Sequence, residues 1–203
     1  MVSPHSDQAG LFESAPPAPE AGPNGARDSL PSHLQASWDD AQALHGDTTF
    51  VEVFGNAPHV HDWYLNDFYK KLFYGGRIPR TVVELVRLRL ANVHGCAFCN
   101  RADTRAALAA GVSQEQVDAL SDYEQGPFSE QEKAALALAD VMALTNPKGH
   151  VTRQLYARLR RHFSDAELVE LGIIMAVLCG MAKMIFAYDL VEKEDYCPFT
   201  PEA

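Results

Sequence analysis

Residues 84–105, ELVRLRLANVHGCAFCNRADTR, decide how the rest of the chain is interpreted, because they place a Cys-x-x-Cys pair directly after an apolar helical segment. The pair is Cys96 and Cys99. From Pro79 onward, apolar side chains recur at three- and four-residue steps, which predicts a helix with proline in its first turn. Gly95 is suited to the left-handed position that ends such a helix. A second helix is therefore predicted to begin at the pair itself.

This placement puts both sulfurs in the first turn of the second helix. Unsatisfied backbone N–H groups and the positive end of the helix dipole favour a thiolate there, so such cysteines have pKa values of roughly 3.5 to 7.5 instead of about 8.5. The three-residue spacing also allows the sulfurs to close into a disulfide and to reopen. The pattern predicts a redox-active dithiol.

One acid and one imidazole are candidates for proton transfer beside the pair. Glu84 lies in a segment that is apolar on most faces, and a buried carboxyl group needs a partner or a purpose. It is either a proton acceptor or donor for the sulfurs, or the partner of Arg87, of Arg89 or of an arginine elsewhere in the chain. His94, two residues before Cys96, is either a base or a residue that interacts with the carbonyl groups at a helix end.

A zinc site is the main competing chemistry for these residues. Cys96, Cys99 and His94 offer three ligands, but a structural zinc site takes four, usually with a second pair from another loop. The sequence has no second Cys-x-x-Cys or His-x3-His pair. We therefore predict no metal and no bound cofactor.

The spacing of these residues resembles a known signature. Glu84, eleven intervening residues, Cys96-Ala-Phe-Cys99 and three residues to Asp103 resemble the E-x11-C-x-x-C-x3-H motif of the carboxymuconolactone decarboxylase superfamily, in its alkyl hydroperoxidase D branch. The later segments FSEQEKAALALADVMALT and FSDAELVELGIIMAVLCGMAKM follow in the order that the family uses. The resemblance covers roughly residues 65–189.

The resemblance implies an all-α, single-domain helical bundle of the alkyl hydroperoxidase D type that forms a homo-oligomer, a dimer, trimer or hexamer. It implies an antioxidant peroxidase or disulfide reductase whose dithiol reduces a hydroperoxide and is regenerated by an external dithiol protein. By this resemblance Cys99 is the peroxidatic cysteine and Cys96 the more exposed resolving cysteine. Glu84 stands at the inner end of a proton relay.

Two positions depart from the family pattern. Asp103 replaces the relay histidine, and Phe98 replaces the histidine that the hydroperoxidase carries between the cysteines. An ionised Asp103 would oppose a thiolate at Cys99 by charge repulsion, whereas sharing a proton with Glu84 would raise one of the two carboxyl pKa values. Asp103 is thus either a substitute base or an acid that stabilises a helix N-terminus.

Two other functions remain open at the level of sequence. In the first, the fold performs non-redox decarboxylase- or isomerase-type acid/base chemistry on a small carbonyl or lactone substrate, with Glu84, Asp103 or His94 as the base. In the second, the protein is a non-enzymatic redox sensor whose disulfide alters its oligomeric state.

The remaining sequence predicts the domain organisation, the partners and the localisation of the protein. Residues 1–32 are rich in Pro, Ala, Gly and Ser and predict a disordered tail, and residues 33–203 form the predicted domain. The net charge of −10 makes nucleic acid an unexpected partner. The sequence shows no basic start followed by an apolar run, so we predict no secretory signal. The uncharged run at residues 171–182 is shorter than the ~20 residues of a span, so we predict no membrane association. We expect a cytoplasmic protein in which this run forms a buried helix at a subunit interface.

An aromatic-rich segment precedes the motif. Residues 59–74 include six Trp, Tyr and Phe side chains and predict a helix. Aromatic side chains at this density belong either to the core and a subunit interface or to an apolar substrate pocket. In the second case Trp63, Phe68 or Tyr69 would line the pocket.

Overall fold

The computed structural model describes residues 25–199, which form helices and contain no β-strand. The helices are α1 (Gly25–Ser29), α2 (Ser32–His45), α3 (Thr49–Gly55), α4 (Pro58–Asp62), a π-helix (Trp63–Phe73), α5 (Arg80–His94), α6 (Ala97–Ala109), α7 (Gln114–Asp118), a 3-10 turn (Leu120–Asp122), α8 (Glu130–Met142), α9 (Arg153–Leu159) and α10 (Asp165–Ala187). The predicted all-α class is confirmed for these residues.

Local sequence signals set most helix boundaries. Capping boxes form at Ser113, Ser129 and Ser164, where each hydroxyl accepts the backbone N–H of the third helical residue. Gly95 ends α5 in the left-handed conformation, with φ 69°. The chain therefore turns sharply between α5 and α6 and brings the Cys-x-x-Cys pair to the start of α6.

Helix α5 is the centre of the bundle and packs against α6, α8 and α10. One of its faces contributes Val83 and Val86 to the main core cluster. The opposite face contributes Leu85 and Leu88 to a second cluster under α6 and α8. Full burial of such a side chain is worth about 1.5–3 kcal/mol, so α5 is held from both sides and supports the motif rigidly.

Helix α10 is buried on one side only. Leu171, Ile174 and Met175 are fully buried, whereas Val169 and Ile173 are 66% and 50% exposed. The predicted helix at residues 171–182 is present, in a helix that ends at Ala187; its burial at a subunit interface stays a prediction. Within residues 25–199, α10 is also the one helix whose length and hydropathy match those of a membrane span, a test that core helices of soluble proteins pass as well.

The predicted tail is only partly described. Residues 1–24 lie outside the described residues. Residues 25–32 contain α1 and the start of α2, and the predicted boundary at residue 32 stays a prediction. Leu30 is buried in a small cluster with Leu34 and Trp38, and this burial explains the order that the composition did not reveal.

The aromatic segment is helical, as predicted, and most of it is a π-helix. Tyr64, Phe68 and Phe73 are buried in the main core, while Trp63 is 47% exposed. π-helical turns are rare and frequently occur at functional sites. Here the segment packs against α10 and places Tyr64 and Tyr69 at the wall of the cavity described below.

Candidate active site

The Cys-x-x-Cys pair forms the N-terminus of α6. Cys96 is the N-cap residue, and its sulfur is bonded to that of Cys99, with 5.2 Å between the two Cα atoms. The backbone N–H of Cys99 also donates to Sγ of Cys96 at 3.1 Å. This N–H group points at the sulfur as it would at any capping anion, so in the reduced pair it stabilises a thiolate at Cys96.

The exposure of the two cysteines is the reverse of the expected one. Cys96 is 1% exposed, whereas Cys99 is partly exposed; the expectation of a more exposed Cys96 is wrong for this chain. The cause is the C-terminal segment, residues 190–199, which crosses the start of α6. Its Glu192 carbonyl accepts the N–H of Ala97 at 3.0 Å, and Lys193 pairs with Cys96 in an isolated antiparallel bridge.

A cavity of about 270 Å³ opens beside the disulfide. Most of its wall is apolar or aromatic, with contributions from the π-helix, α5, α6 and α10. The lining residues are Phe50, Tyr64, Leu65, Tyr69, Arg87, Leu90, Ala91, His94, Cys96, Phe98, Cys99, Ala102, Asp103, Leu178, Met181, Ala182, Ile185 and Val191. The cavity has room for a small organic molecule in contact with a sulfur atom and a carboxyl group.

A single arginine joins the two candidate acids. Arg87 donates to Glu84 Oε2 at 2.6 Å, and its Nε lies 3.1 Å from Oδ1 of Asp103. The other oxygen of Glu84 accepts from Arg80 at 2.8 Å. Glu84 is fully buried and is not among the residues that line the cavity. Both of its oxygens are thus held by arginines, as one of the two sequence alternatives proposed, and Glu84 is linked to the cavity through Arg87.

Asp103 combines a raised pKa with a position on the cavity wall. Burial of the carboxyl group and the negative charge of Glu84 raise its pKa to about 6, although Arg87 acts in the opposite direction. Asp103 lies four residues after Cys99 on α6, so the two side chains share one face of the helix. The position that holds a histidine in the family motif therefore carries an acid that titrates in the range of histidine.

His94 has a structural partner. Its Nε2 accepts the backbone N–H of Leu144 at 3.0 Å, which joins the end of α5 to the loop after α8. Burial lowers the pKa of the imidazole to about 4, so the ring is neutral at pH 7. Because the lone pair of Nε2 is used by this hydrogen bond, the ring offers its second nitrogen only as a donor.

Sequence reasoning missed part of the site. Tyr69 lines the cavity as one of the alternatives proposed, whereas Trp63 and Phe68 are not among its lining residues. Arg87 was seen only as a partner of Glu84; its spacing to Asp103 gives no signal, because the two lie on different helices. Among residues 25–199, no group of three or more His, Cys, Asp and Glu side chains is arranged to hold a metal ion.

The chain is similar to other sequences over its central part. The sequence model of the carboxymuconolactone decarboxylase family matches residues 61–141. The uncharacterized protein YdfG of Bacillus subtilis (strain 168) is 34% identical over 99 residues, which are 48% of this chain and 67% of that protein. The uncharacterized protein YnjA of Escherichia coli (strain K12) is 30% identical over 110 residues, 54% of this chain and 59% of that protein.

Solved structures share the fold at low sequence identity. An uncharacterized peroxidase-related protein from Ralstonia eutropha JMP134, described as an alkylhydroperoxidase AhpD core, is 15% identical with a TM-score of 0.67, over 83% of this chain and 89% of that one. The debrominase Bmp8 is 18% identical with a TM-score of 0.65, over 81% and 87%. Motif, fold and sequence relatives agree, and the chain belongs to the carboxymuconolactone decarboxylase family.

Proposed function

We propose that the protein is a thiol-dependent peroxidase that reduces hydroperoxides with Cys96 and Cys99. The observation that carries the proposal is the position of the pair at the N-terminus of α6, on the wall of a mostly apolar cavity that also holds Asp103. A small organic hydroperoxide bound there would contact Cys99, the more exposed of the two sulfurs.

In the proposed cycle, Asp103 takes the proton of the Cys99 thiol. The thiolate attacks the terminal oxygen of the peroxide, the O–O bond breaks, and Asp103 returns the proton to the departing alkoxide, which leaves as an alcohol. The thiolate of Cys96, stabilised by the Cys99 N–H, then attacks the sulfenic acid at Cys99. A disulfide forms and hydroxide leaves as water after protonation. An external dithiol reduces the disulfide and completes the cycle.

The test is peroxide consumption with dithiothreitol as the reductant. Cys99→Ser is expected to abolish turnover, because no sulfenic acid can form at that position. In the absence of dithiothreitol, Cys96→Ser is expected to consume one equivalent of peroxide and then stop, since the sulfenic acid at Cys99 has lost its resolving partner. Cys179→Ser is the matched control: Cys179 lies in α10 and is not among the residues that line the cavity, and its loss should leave the rate unchanged. Full activity of Cys99→Ser would reject the proposal.

Brominated aromatic rings are a related substrate class. The fold relative Bmp8 is a debrominase, and one form of it was crystallised with 2,3,4-tribromopyrrole. Oxidation of the same dithiol to a disulfide supplies the two electrons that convert a carbon–bromine bond and one proton into a carbon–hydrogen bond and bromide. The aromatic lining of the cavity favours a flat ring. Bromide release from 2,3,4-tribromopyrrole, measured beside cumene hydroperoxide consumption, would show which substrate the pair prefers.

Acid/base chemistry on a small carbonyl or lactone substrate is the second candidate, and the raised pKa of Asp103 in the cavity favours it. This reaction has no need of a dithiol. Activity on such a substrate that survives replacement of Cys96 and Cys99 by alanine would support it and would count against the peroxidase.

We also propose a cytoplasmic homo-oligomer. The exposed side of α10 presents Val169, Ile173, Ala176 and Gly180 at helical spacing, and a second copy of the chain would cover this stripe. Ile173→Glu is expected to reduce the mass measured by light scattering to that of one chain. An oligomer unaffected by this change would place the interface elsewhere. A mass that changes between reduced and oxidised protein would instead support the redox sensor.

A further inference from the structure

A third cysteine is packed beside the disulfide. Cys197, in the C-terminal segment, is 6% exposed and belongs to the same apolar cluster as Cys96, Ile185 and Phe186. Its thiol donates to the carbonyl oxygen of His94 at 3.2 Å. The cycle proposed above gives this buried nucleophile no task, although three cysteines meet at one end of the molecule.

The backbone holds Cys197 close to the pair. The N–H of Glu194 donates to the carbonyl of Gly95 at 2.9 Å. A Cβ on Gly95 would lie 2.7 Å from the Cα of Cys197, so only glycine permits this approach. With about 3.8 Å between consecutive Cα atoms, the Cα of Cys197 is at most about 8 Å from that of Cys96. Disulfides join Cα atoms up to about 6.8 Å apart, so a small movement of the segment is sufficient.

The two sulfurs of the pair also have different surroundings. Cys99 is the partly exposed sulfur at the cavity, and Cys96 is the buried sulfur beneath the C-terminal segment. A nucleophile on that segment therefore meets Cys96 first. Attack on Cys96 would release Cys99 as a thiolate at the cavity, where the next substrate molecule binds.

We propose that Cys197 is a third redox-active cysteine, which takes the disulfide from Cys99 by thiol–disulfide exchange. The Cys197 thiol loses its proton and its thiolate attacks Sγ of Cys96; the Cys96–Cys99 bond breaks, a Cys96–Cys197 bond forms, and Cys99 leaves as a thiolate that takes up one proton. The exchange consumes no oxidant or reductant. It moves the oxidised pair away from the cavity, to Cys96 and the C-terminal segment, and leaves Cys99 as a thiol at the cavity. This inference rests on the proposed redox role of the pair.

The sequence provides a direct assay. Trypsin cleaves after Arg89, Arg101, Lys183 and Lys193, so Cys96 and Cys99 share the peptide 90–101 while Cys197 lies in the peptide 194–203. Cys179 lies in a third peptide. Reduced Cys99→Ser protein is oxidised with diamide, blocked with N-ethylmaleimide and digested. We expect peptide 90–101 to be disulfide-bonded to peptide 194–203 within one chain. Cys179→Ser added to this variant should keep the cross-link, and Cys197→Ser should lose it.

The unmodified protein tests the exchange itself. After a single treatment with cumene hydroperoxide, a fraction of peptide 90–101 should be bonded to peptide 194–203 and should carry N-ethylmaleimide on Cys99. Absence of this species in the unmodified protein, or a cross-link in Cys99→Ser that occurs only between chains, would overturn the proposal. Peroxide consumption by the unmodified protein separates the two claims. Turnover by the unmodified protein without the cross-link in either protein rejects only the role of Cys197. The cross-link in Cys99→Ser together with no turnover by the unmodified protein rejects only the peroxidase.

Discussion

Two arginines on α5 make similar contacts on opposite sides of the helix, and only one of them serves the cavity. Arg89 pairs with Asp140 at 2.7 Å, and Asp140 also accepts the hydroxyl of Tyr123 at 2.9 Å. Arg87 holds two acids, Glu84 and Asp103. Residues two apart on a helix do not share a face, so one helix carries both arrangements independently.

The Arg89 group (Arg89, Asp140 and Tyr123) and the Arg87 group (Arg87, Glu84 and Asp103) differ in charge balance and in exposure to water. The Asp140 side chain is 33% exposed and has one arginine and one hydroxyl as partners. The Asp103 side chain is 14% exposed and shares its arginine with a second carboxylate. Burial and like charge raise the pKa of Asp103 to about 6. The Arg89 group holds helices together, and the Arg87 group keeps the Asp103 carboxyl group able to exchange a proton near neutral pH.

The largest expected effect is a difference in the free energy of unfolding between variants of the two arginines. Arg87→Met leaves Asp103 buried without its ion-pair partner and should lower the free energy of unfolding by about 3–5 kcal/mol. Arg89→Met should cost less, because Asp140 keeps the hydroxyl of Tyr123 and part of its hydration. Urea unfolding of the two oxidised variants at pH 7 measures both values. Equal losses would mean that the clusters are equivalent.

The next effect is on stability against pH. Because the pKa of Asp103 is raised above its usual value near 3.8, the native state binds more protons between pH 4 and 6. The contribution of this group to stability is thus greatest below pH 4 and is lost as pH rises to 6. One pKa unit corresponds to about 1.4 kcal/mol, so the loss is at most about 3 kcal/mol. Asp103→Asn should remove this slope from urea unfolding curves, whereas Asp140→Asn should retain it.

The third effect is on the reaction. If Asp103 is the base, its ionised form is required, and the rate of thiol oxidation by peroxide should rise as pH passes through about 6. Asp103→Asn is expected to slow this step about 100-fold and to remove the inflection. Asp140→Asn is the matched control and should keep both rate and profile. Stopped-flow fluorescence of the reduced proteins provides the measurement; an unchanged profile in Asp103→Asn would assign the base elsewhere.

The smallest effect comes from Tyr123. Tyr123→Phe removes one hydrogen bond to Asp140 and should lower the free energy of unfolding by about 0.5–1.5 kcal/mol. The peroxide rate should not change. A slower reaction in Tyr123→Phe would mean that the Asp140 cluster is coupled to the cavity.

Short-range signals in the sequence predicted much of the fold. Gly95 ends α5, and the serine capping boxes begin α7, α8 and α10, because each depends on residues within one turn. The burial of Cys96 was missed, because it depends on Glu192 and Lys193, almost a hundred residues later. The contact of Arg87 with Asp103 joins two helices and was missed for the same reason.

The central claim is that Cys96 and Cys99 reduce a hydroperoxide in one two-electron step. The most direct measurement mixes reduced protein with substoichiometric cumene hydroperoxide, without reductant, and counts the thiols that remain. The account predicts that two thiols are lost for each peroxide consumed and that no peroxide is consumed by Cys99→Ser. Peroxide that remains after mixing, or thiols that disappear equally in Cys99→Ser, would contradict it.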